Sequence, residues 1–447
     1  MPQAEEHSLQ PVSSANRIEA LDVARGLALF GILMVNVQLL AQPLSWLIRE
    51  KGGSTEGPIG VATYYLTRLF FESKSYPLFS MLFGMGLMLM RDRALAAGRS
   101  FASPYLRRLS MLLAMGVAHA LLLYSADVLV IYAIIGFLVM WLAGRSSKWL
   151  LRLALIMLTL TVVWTVLGVV MVATNMIGSK EGPGVDGDSP VIVEATADAA
   201  DSPFLHLMEI LNRGDLPATG PMSPEWTHAA LDAYQNGPLS NAITMRGLDW
   251  IAEQVNWTIG GGAALQIAGM FLLGAWLMRV GAISAKGNVW IRRFLLIGLL
   301  VGLPASVAGV ALQSMSAEFS IWMPLGQVFT LIAGPCFSLA YMGIAMWLSR
   351  RHMTSWPVRS IASTGRMALT NYIMQSFLVC VIAQHWGFAM FGKITQAQML
   401  GIVLSIYAFQ VMVSPIWLRR FTMGPLEWSW RWWTYLRRPR FLLTLPR

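Results

Sequence analysis

The chain has 447 residues, of which 56% are hydrophobic and 13% charged, and its mean hydropathy is +0.56. Soluble domains usually carry about 25% charged residues, so the composition excludes an ordinary soluble protein and indicates an all-α, polytopic membrane protein. The formal net charge is +10. Because the basic residues cluster in short loops between apolar runs, they predict a membrane orientation signal and no nucleic-acid partner.

Apolar runs of about 20 residues predict transmembrane helices, and about ten such runs occur along the chain. They lie near residues 21–41, 75–91, 105–124, 127–143, 150–174, 258–279, 291–312, 321–348, 367–386 and 398–418. Residues 59–73 are also apolar but precede Pro77, and proline ends or kinks a helix. They therefore predict a separate interfacial helix, followed by a span that begins near Tyr76.

The charges of the loops predict the orientation. Loop 91–108 carries five arginines against one aspartate. The other basic segments are separated from it by an even number of predicted spans, and they are 144–152, 279–293, 350–366 and the tail after residue 419. The positive-inside rule places all of them, and both termini, in the cytoplasm. Segment 175–250 has three basic and eleven acidic residues, which fits the opposite side.

Five regions follow from this topology. They are a cytoplasmic tail (1–17), an N-terminal five-helix membrane region (18–174), an extracytoplasmic loop or cap (175–255), a C-terminal five-helix membrane region (256–420) and a Trp/Arg-rich cytoplasmic interfacial tail (421–447). In the cap, "SPFLHLMEILNRG" and "SPEWTHAALDAYQNG" each predict a short amphipathic helix, whereas "GPGVDGDSPVIVEATADAADSP" predicts a flexible acidic stretch. "GLLVG" at 298–302 predicts close helix packing.

Metal and disulfide chemistry is not indicated. Cys336 and Cys380 each lie in an apolar run and match no metal-ligand spacing. The six histidines are scattered, and no HExxH, P-loop, GxSxG or dinucleotide-binding motif is present. The sequence therefore predicts no metal site.

His119 and Asp127 are the candidate catalytic residues. His119 lies about one turn before the end of the third span, and Asp127 begins the fourth span directly after "YSA" in the stretch "AHALLLYSADVLVIYA", so a tight outer turn would bring the two helix ends together. A carboxylate that orients an imidazole makes a general base. The structural alternatives are a helix N-cap for Asp127 and a satisfied buried histidine for His119.

Other polar residues at or near membrane depth are candidate substrate- or cofactor-binding residues. They are Asp22, Arg25, Asn36, Glu72, Lys74, Arg107, Arg108, Arg366, Asn371 and Gln375. Structural alternatives stay open: a local ion pair at 22 and 25, an interfacial pair at 72 and 74, and contacts between helices at 371 and 375. In the aromatic tail, Glu427 is a candidate partner of a cytoplasmic arginine.

Several stretches resemble the bacterial YeiB-like inner-membrane family. They are "RIEALDVARGLALFGILMVNV", "KSYPLFSMLFGMGL", "GVAHALLLYSADVLVIYAIIGFL", "GRMALTNYIMQS" and "GPLEWSWRWWTY", in this order over nearly the whole chain. That resemblance implies a multi-pass protein of the bacterial inner membrane. Through "LDVARGLAL", Asn36 and "PLFSMLFGMG", the chain is similar in turn to the transmembrane acyltransferase superfamily that includes heparan-α-glucosaminide N-acetyltransferase.

The superfamily resemblance implies acyl transfer from a cytoplasmic acyl-CoA to an extracytoplasmic hydroxyl or amine, on a sugar, glycan or lipid-like acceptor. The heparan acetyltransferase branch has a histidine between its first two spans, whereas residues 41–75 contain none. The role of His119 as base or acyl carrier is therefore inferred from its position. Arg25, Arg107, Arg108 and Arg366 are candidate partners of the CoA phosphates.

We expect a membrane acyltransferase that contacts membrane lipids and a small-molecule or glycan acceptor. A transporter for a small metabolite, with the same buried residues as its pathway, is the alternative. A membrane scaffold ranks third because it leaves His119 and Asp127 unexplained. The sequence leaves open whether the chain forms a homodimer.

Overall fold

The computed structural model describes residues 18–49, 57–178, 202–215, 220–260, 262–284, 288–315 and 321–443. The predicted tail 1–17 and the acidic stretch before residue 202 lie outside these ranges. The described secondary structure is helical, apart from one isolated β-bridge between Phe421 and Leu442. The all-α prediction is therefore confirmed for the described residues.

The α-helices follow one another in chain order. They are α1 (Glu19–Ala41), α2 (Leu44–Arg49), α3 (Pro58–Phe70), α4 (Ser75–Ala96), α5 (Ala102–Leu122), α6 (Leu129–Met140), α7 (Ser147–Gly178), α8 (Pro203–Asn212), α9 (Pro224–Gln235), α10 (Leu239–Glu253), α11 (Ala263–Arg279), α12 (Val289–Ile297), α13 (Leu303–Met315), α14 (Trp322–Arg351), α15 (Trp356–Arg366), α16 (Ala368–Ala383), α17 (Gln396–Trp417) and α18 (Pro425–Tyr435). Two π-helical segments, Gln254–Gly260 and Gly298–Gly302, lie before α11 and between α12 and α13.

Five helical segments of the described chain are long and apolar enough to cross a membrane. They are Glu19–Ala41, Ser147–Met171, Val289–Met315, Trp322–Arg351 and Gln396–Trp417. The pair α15 and α16 also qualifies together, although it is bent by 86°. Helices α6 and α11 are apolar but shorter. By length and composition the chain is thus a membrane protein with five or six candidate spans, and the count of ten stays a prediction.

Small residues let the central helices approach closely. A Cβ atom at Gly84 would overlap the backbone of α11, and one at Gly274 would overlap the backbone of α4. The same reciprocal contact joins α1 to α15 through Gly26 and Gly365. Helix association in membranes favours such backbone contacts because lipid supplies no hydrophobic driving force between helices. These two crossings fix α1, α4, α11 and α15 relative to one another.

Two local predictions are confirmed. The apolar stretch before Pro77 forms the separate helix α3, and the chain turns through Ser73, whose φ of 57° is left-handed, before α4 begins. The "GLLVG" segment packs tightly on α14, where a Cβ at Gly298 would overlap Ala340 and one at Gly302 would lie 3.1 Å from Cys336.

The predicted cap contains three helices. The two amphipathic sequences form α8 and α9, and α9 begins with Ser223, whose hydroxyl accepts the Trp226 amide. Helix α10 was not separately predicted. Apolar residues of these three helices, among them Phe204, Leu207 and Met245, pack together with Ala383 at the end of α16. The cap therefore lies directly on the end of α16.

Helix α18 in the aromatic tail packs against α5. The Trp430 indole donates to the Arg108 carbonyl at 2.7 Å, and the Arg107 guanidinium donates to the Thr434 carbonyl at 2.9 Å. Glu427 accepts hydrogen bonds from the amides of Leu369 and Thr370 at 2.7 and 3.1 Å. Its carboxylate therefore caps the start of α16, a role that its position in the sequence had not indicated.

Candidate functional site

His119 and Asp127 are in direct contact in the interior of the protein. The His119 Nδ1 atom lies 2.8 Å from Asp127 Oδ1, and both side chains are almost completely buried. The contact forms because α5 ends just after His119, and the short turn that follows brings Asp127 back beside it before α6 begins. The spacing in the sequence suggested that the two side chains come together, and the structure shows this contact.

Asp127 also serves as the cap of α6. Its Oδ2 atom accepts the amides of Leu129 and Val130 at 2.8 and 3.2 Å, while Oδ1 faces His119. The cap and the histidine pair therefore use different oxygens of one carboxylate. The Tyr372 hydroxyl donates to Oδ1 as well, at 3.3 Å. Four hydrogen-bond partners thus surround the carboxylate and fix its orientation.

The other nitrogen of His119 meets a serine from a distant part of the chain. His119 Nε2 lies 2.9 Å from the Oγ atom of Ser376 on α16, and both side chains are buried. With Asp127 ionised and His119 neutral, the Nδ1 atom carries the ring proton, because a carboxylate only accepts hydrogen bonds, and the Ser376 hydroxyl donates to the Nε2 lone pair. We call His119, Asp127, Tyr372 and Ser376 the polar cluster.

A large cavity ends at this cluster. The arginine cavity has a volume of about 280 Å³ and includes Tyr372 and Val128 in its wall. Its charged part has side chains from α1, α4, α5, α15 and α18, namely Arg25, Arg93, Arg108, Arg366 and Arg431. Its apolar part includes Ile32, Leu82, Phe83, Leu112, Leu129 and Tyr132. Such a cavity suits a molecule with an anionic end and an apolar chain.

A smaller pocket lies on the other side of the cluster, under the cap. This cap pocket has a volume of about 30 Å³, room for about one water molecule. Its polar residues include Ser45, Tyr124, Ser125, Trp226, Arg246, Asp249, Glu253 and Gln384. Along the chain, His119 lies between Leu112, which lines the arginine cavity, and Leu123, which lines the cap pocket. Ser376 likewise lies between Tyr372, which lines the arginine cavity, and Gln384, which lines the cap pocket. The polar cluster therefore separates the two cavities.

Buried carboxylates give the cap pocket its electrostatic character. Burial raises the pKa of Asp249 to about 6, although hydrogen bonds from Trp226 and Tyr234, each 2.8 Å long, act in the opposite direction. Burial also raises the pKa of Glu253 well above its usual value, and the neighbouring Asp249 adds to the effect. Arg246 donates to the Leu122 carbonyl at 2.8 Å and so joins the cap to the end of α5.

The two residues at the start of α1 that were predicted at the cytoplasmic mouth of the first span lie in the wall of the arginine cavity. Asp22 and Arg25 form the expected i, i+3 ion pair, at 3.2 Å, and both line the cavity. Arg108 lies over the Trp430 ring at 3.9 Å from its centroid, and Arg366 donates to the Thr422 carbonyl. Arg107 instead contacts Ser103 and the tail helix, and it is not part of the cavity wall.

The amides on α16 connect helices. Asn371 donates to the Thr364 carbonyl at 2.9 Å, and Gln375 donates to Gln410 Oε1 at 2.8 Å. These contacts between helices favour the structural alternative. Asn36 is half-buried on α1 and lines neither cavity.

Glu72 and Lys74 do not form the expected pair. Glu72 pairs with Arg68 at 3.3 Å, one helical turn away, and the Lys74 ammonium donates to the Arg68 carbonyl at 2.6 Å. Lys74 is fully buried at the turn between α3 and α4. The left-handed conformation of Ser73 between them gives the two side chains separate partners.

Ser376 and Tyr372 are the members of the polar cluster that sequence reasoning missed. Both belong to the stretch "GRMALTNYIMQS", in which only Arg366, Asn371 and Gln375 were singled out. Tyr372 and Ser376 are four residues apart and therefore share one face of α16. That spacing was the available signal, but nothing in the sequence indicated that this face meets His119.

The fold and the polar cluster define an all-helical membrane protein with a buried His–Asp–Ser arrangement between two cavities. A family model described as "Protein of unknown function (DUF418)" matches residues 277–437. The chain is 29% identical to the YxaH protein of Bacillus subtilis over 436 residues, 96% of this chain and 97% of the relative. It is 27% identical to the YeiB protein of Escherichia coli over 421 residues, 92% of this chain and 94% of the relative.

The chain is thus similar over nearly its whole length to the YeiB-like proteins of bacteria. No solved structure matches it.

Proposed function

We propose that the protein is an integral membrane acyltransferase. It would move an acyl group from a cytoplasmic acyl-CoA to a hydroxyl or amine of an extracytoplasmic acceptor, such as a sugar, a glycan or a lipid-like molecule. The observation that carries the proposal is the arginine cavity, which combines a cationic part with apolar walls and ends at Tyr372, a hydrogen-bond partner of Asp127.

The cavity matches the chemistry of the donor. Arginine recognises phosphate through charge-assisted hydrogen bonds, and five arginines from five helices line the cavity. An acyl-CoA has phosphates at one end and an apolar acyl chain at the other. A volume of about 280 Å³ is near the lower end for ligand sites, so it suits the acyl and pantetheine part, with the nucleotide near the arginines.

The polar cluster supplies the base. His119 Nε2 presents a lone pair, and Asp127 holds the ring in that tautomer. Removing a proton from the attacking hydroxyl or amine increases its nucleophilicity toward the thioester carbonyl. The acceptor would approach from the side of the cap pocket, which has room for about one water molecule in this structure and would widen as the cap moves away from α16; its carboxylates can accept hydrogen bonds from acceptor hydroxyls.

The proposal includes a topology. Ten spans with both termini in the cytoplasm of a bacterial inner membrane would put the arginine cavity on the cytoplasmic side and the cap outside. Reporter fusions test this arrangement. A cytoplasm-active reporter joined near residue 100 or at residue 443 should be active, and a periplasm-active reporter inserted near residue 237 should be active. The reverse pattern would contradict the orientation.

Thiol release from acyl-CoA by the purified protein tests the chemistry. Wild type should release CoA faster than buffer, and more so with an acceptor present, whereas His119→Ala should lose about 100-fold or more, the usual contribution of a general base. His228→Ala, an exposed histidine on α9, is the matched control and should retain full activity. Equal rates in wild type and His119→Ala would remove His119 from the mechanism.

A transporter for a small metabolite is the second candidate. The observation in its favour is that two cavities lie on opposite sides of one buried polar cluster, as an alternating-access pathway would require. Proteoliposomes distinguish the two functions. Movement of an intact solute without any acyl donor would support transport, and donor-dependent modification of the acceptor would support the transferase.

A further inference from the structure

We propose that Ser376 carries the acyl group as an ester during turnover, so that the reaction proceeds through a covalent acyl-enzyme. This inference rests on the proposed acyl transfer and assigns the atom that holds the acyl group between donor and acceptor. It follows from the contacts of the Ser376 hydroxyl and from the position of the polar cluster between the two cavities.

The Ser376 hydroxyl is oriented differently from those of two other buried serines, Ser80 on α4 and Ser338 on α14. Ser80 donates to the Tyr76 carbonyl at 2.8 Å, and Ser338 donates to the Gly334 carbonyl at 2.9 Å. This bond to the fourth preceding residue is the usual way in which a serine satisfies its hydroxyl within a helix. Ser376 instead directs its Oγ atom to His119 Nε2, at 2.9 Å. Its hydroxyl is thereby placed for proton transfer to a base.

The base is itself held by an anchored carboxylate. His119 Nδ1 lies 2.8 Å from Asp127 Oδ1, and Asp127 Oδ2 is held by the amides that begin α6. When His119 takes a proton from Ser376, the resulting imidazolium stays paired with a carboxylate that cannot rotate away. A serine, a histidine and an aspartate in this order form the nucleophilic arrangement that recurs on unrelated folds.

The position of Ser376 explains why a covalent carrier is useful. The arginine cavity includes Tyr372, one helical turn before Ser376, and the cap pocket includes Gln384, two turns after it. Donor and acceptor would therefore approach from opposite sides and need not occupy the site together. Tyr372 connects the arginine cavity to the other members of the cluster, since it lines the cavity and also donates to Asp127.

The steps balance without an oxidant or a reductant. The Ser376 proton moves to His119 Nε2 as Oγ bonds to the thioester carbonyl carbon. The C–S bond then breaks, and the departing thiolate takes the proton from His119. In the second half, the acceptor hydroxyl or amine gives its proton to His119 and attacks the ester carbonyl. The bond between that carbon and Oγ breaks, and Ser376 recovers its proton.

A fluorophosphonate probe tests the nucleophile without any acyl-CoA. The purified full-length protein should be labelled at Ser376, as located by peptide mass spectrometry, and His119→Ala should react about 100-fold or more slowly. Ser338→Ala, a matched buried serine on α14, should be labelled like the wild type. A small sulfonyl fluoride that reacts with activated serines serves as a second probe. If neither reagent labels Ser376 in the folded wild type at high concentration, the proposal is contradicted.

A second measurement separates this inference from the proposed function. Incubation with radiolabelled acetyl-CoA or palmitoyl-CoA and no acceptor should leave a hydroxylamine-sensitive acyl group on Ser376, and Ser376→Ala should retain none. Full acyl transfer by a folded Ser376→Ala variant would overturn the covalent step and leave the acyltransferase standing. Probe labelling at Ser376 with no acyl transfer from any acyl-CoA would support the activated serine and overturn the proposed donor.

Discussion

Replacing Asp127 with asparagine perturbs the polar cluster at the residue with the most connections. The carboxylate accepts hydrogen bonds from His119, Tyr372 and the amides of Leu129 and Val130. Asparagine keeps one acceptor oxygen and introduces an NH₂ group that only donates. If the oxygen stays on the two amides, the NH₂ group faces His119 Nδ1, which must then lose its proton, so Nε2 becomes protonated.

The magnitudes follow from these contacts. A hydrogen bond to a charged group is worth about 1.5–3 kcal/mol, so the weakened contacts should lower the free energy of unfolding by about 2–4 kcal/mol. Protonation of Nε2 removes the base, and a tautomer change of this kind lowers kcat by about 10⁴ in a serine protease. We expect a loss of about 10³–10⁴, or about 4–5.5 kcal/mol of transition-state stabilisation at 1.36 kcal/mol per tenfold.

The assay is acyl-CoA turnover by purified Asp127→Asn, with folding checked by thermal denaturation. Tyr372→Phe is the control because it removes only the 3.3 Å contact to the same carboxylate. It should cost about 0.5–1.5 kcal/mol of stability and less than tenfold in rate. A folded Asp127→Asn variant whose rate lies within tenfold of wild type would refute the claim that this carboxylate orients His119.

Three further predictions concern the cavity, the cap and the helix crossings. Arg108→Gln should raise the KM for acyl-CoA about tenfold or more by removing a charge-assisted contact, while Arg107→Gln, outside the cavity wall, should leave KM unchanged in the same steady-state assay. Because burial raises the pKa of Asp249 from 3.8 to about 6, the folded cap binds that proton more tightly than the unfolded chain does. Its stability should fall as the pH rises from about 4 to about 6, by at most about 3 kcal/mol, and Asp249→Asn should flatten this slope in thermal denaturation; a slope unaffected by the substitution would contradict the assignment. Gly84→Ala should destabilise the protein by about 1–3 kcal/mol through overpacking, whereas Gly168→Ala, which faces open space, should not; equal melting temperatures for the two variants would refute the close crossing.

The predictions that succeeded rest on local chemistry. His119 and Asp127 are eight residues apart across one turn, so the spacing could suggest their contact. The separate helix before Pro77 follows from the geometry of proline, and the helices α8 and α9 follow from their Ser-Pro starts. Each of these features depends on a few neighbouring residues, which the sequence displays directly.

The features that were missed depend on long-range packing. Ser376 is 257 residues from His119, and only the packing of α16 beside the end of α5 brings them together. Glu427 caps α16 from a position 58 residues further along the chain. Glu72 and Lys74 were paired by proximity in sequence, but the left-handed turn at Ser73 gives each a different partner.

The decisive measurement is acyl transfer from a donor on one side of the membrane to an acceptor on the other side, with His119 as the base. Proteoliposomes would hold the acceptor inside, with radiolabelled acyl-CoA supplied outside, and protein oriented so that the arginine cavity faces the donor. We expect labelled acceptor in the lumen with wild type and a loss of about 100-fold or more with His119→Ala. Labelled acceptor formed equally well by His119→Ala, or no transfer from any acyl-CoA by the folded wild type, would contradict this expectation.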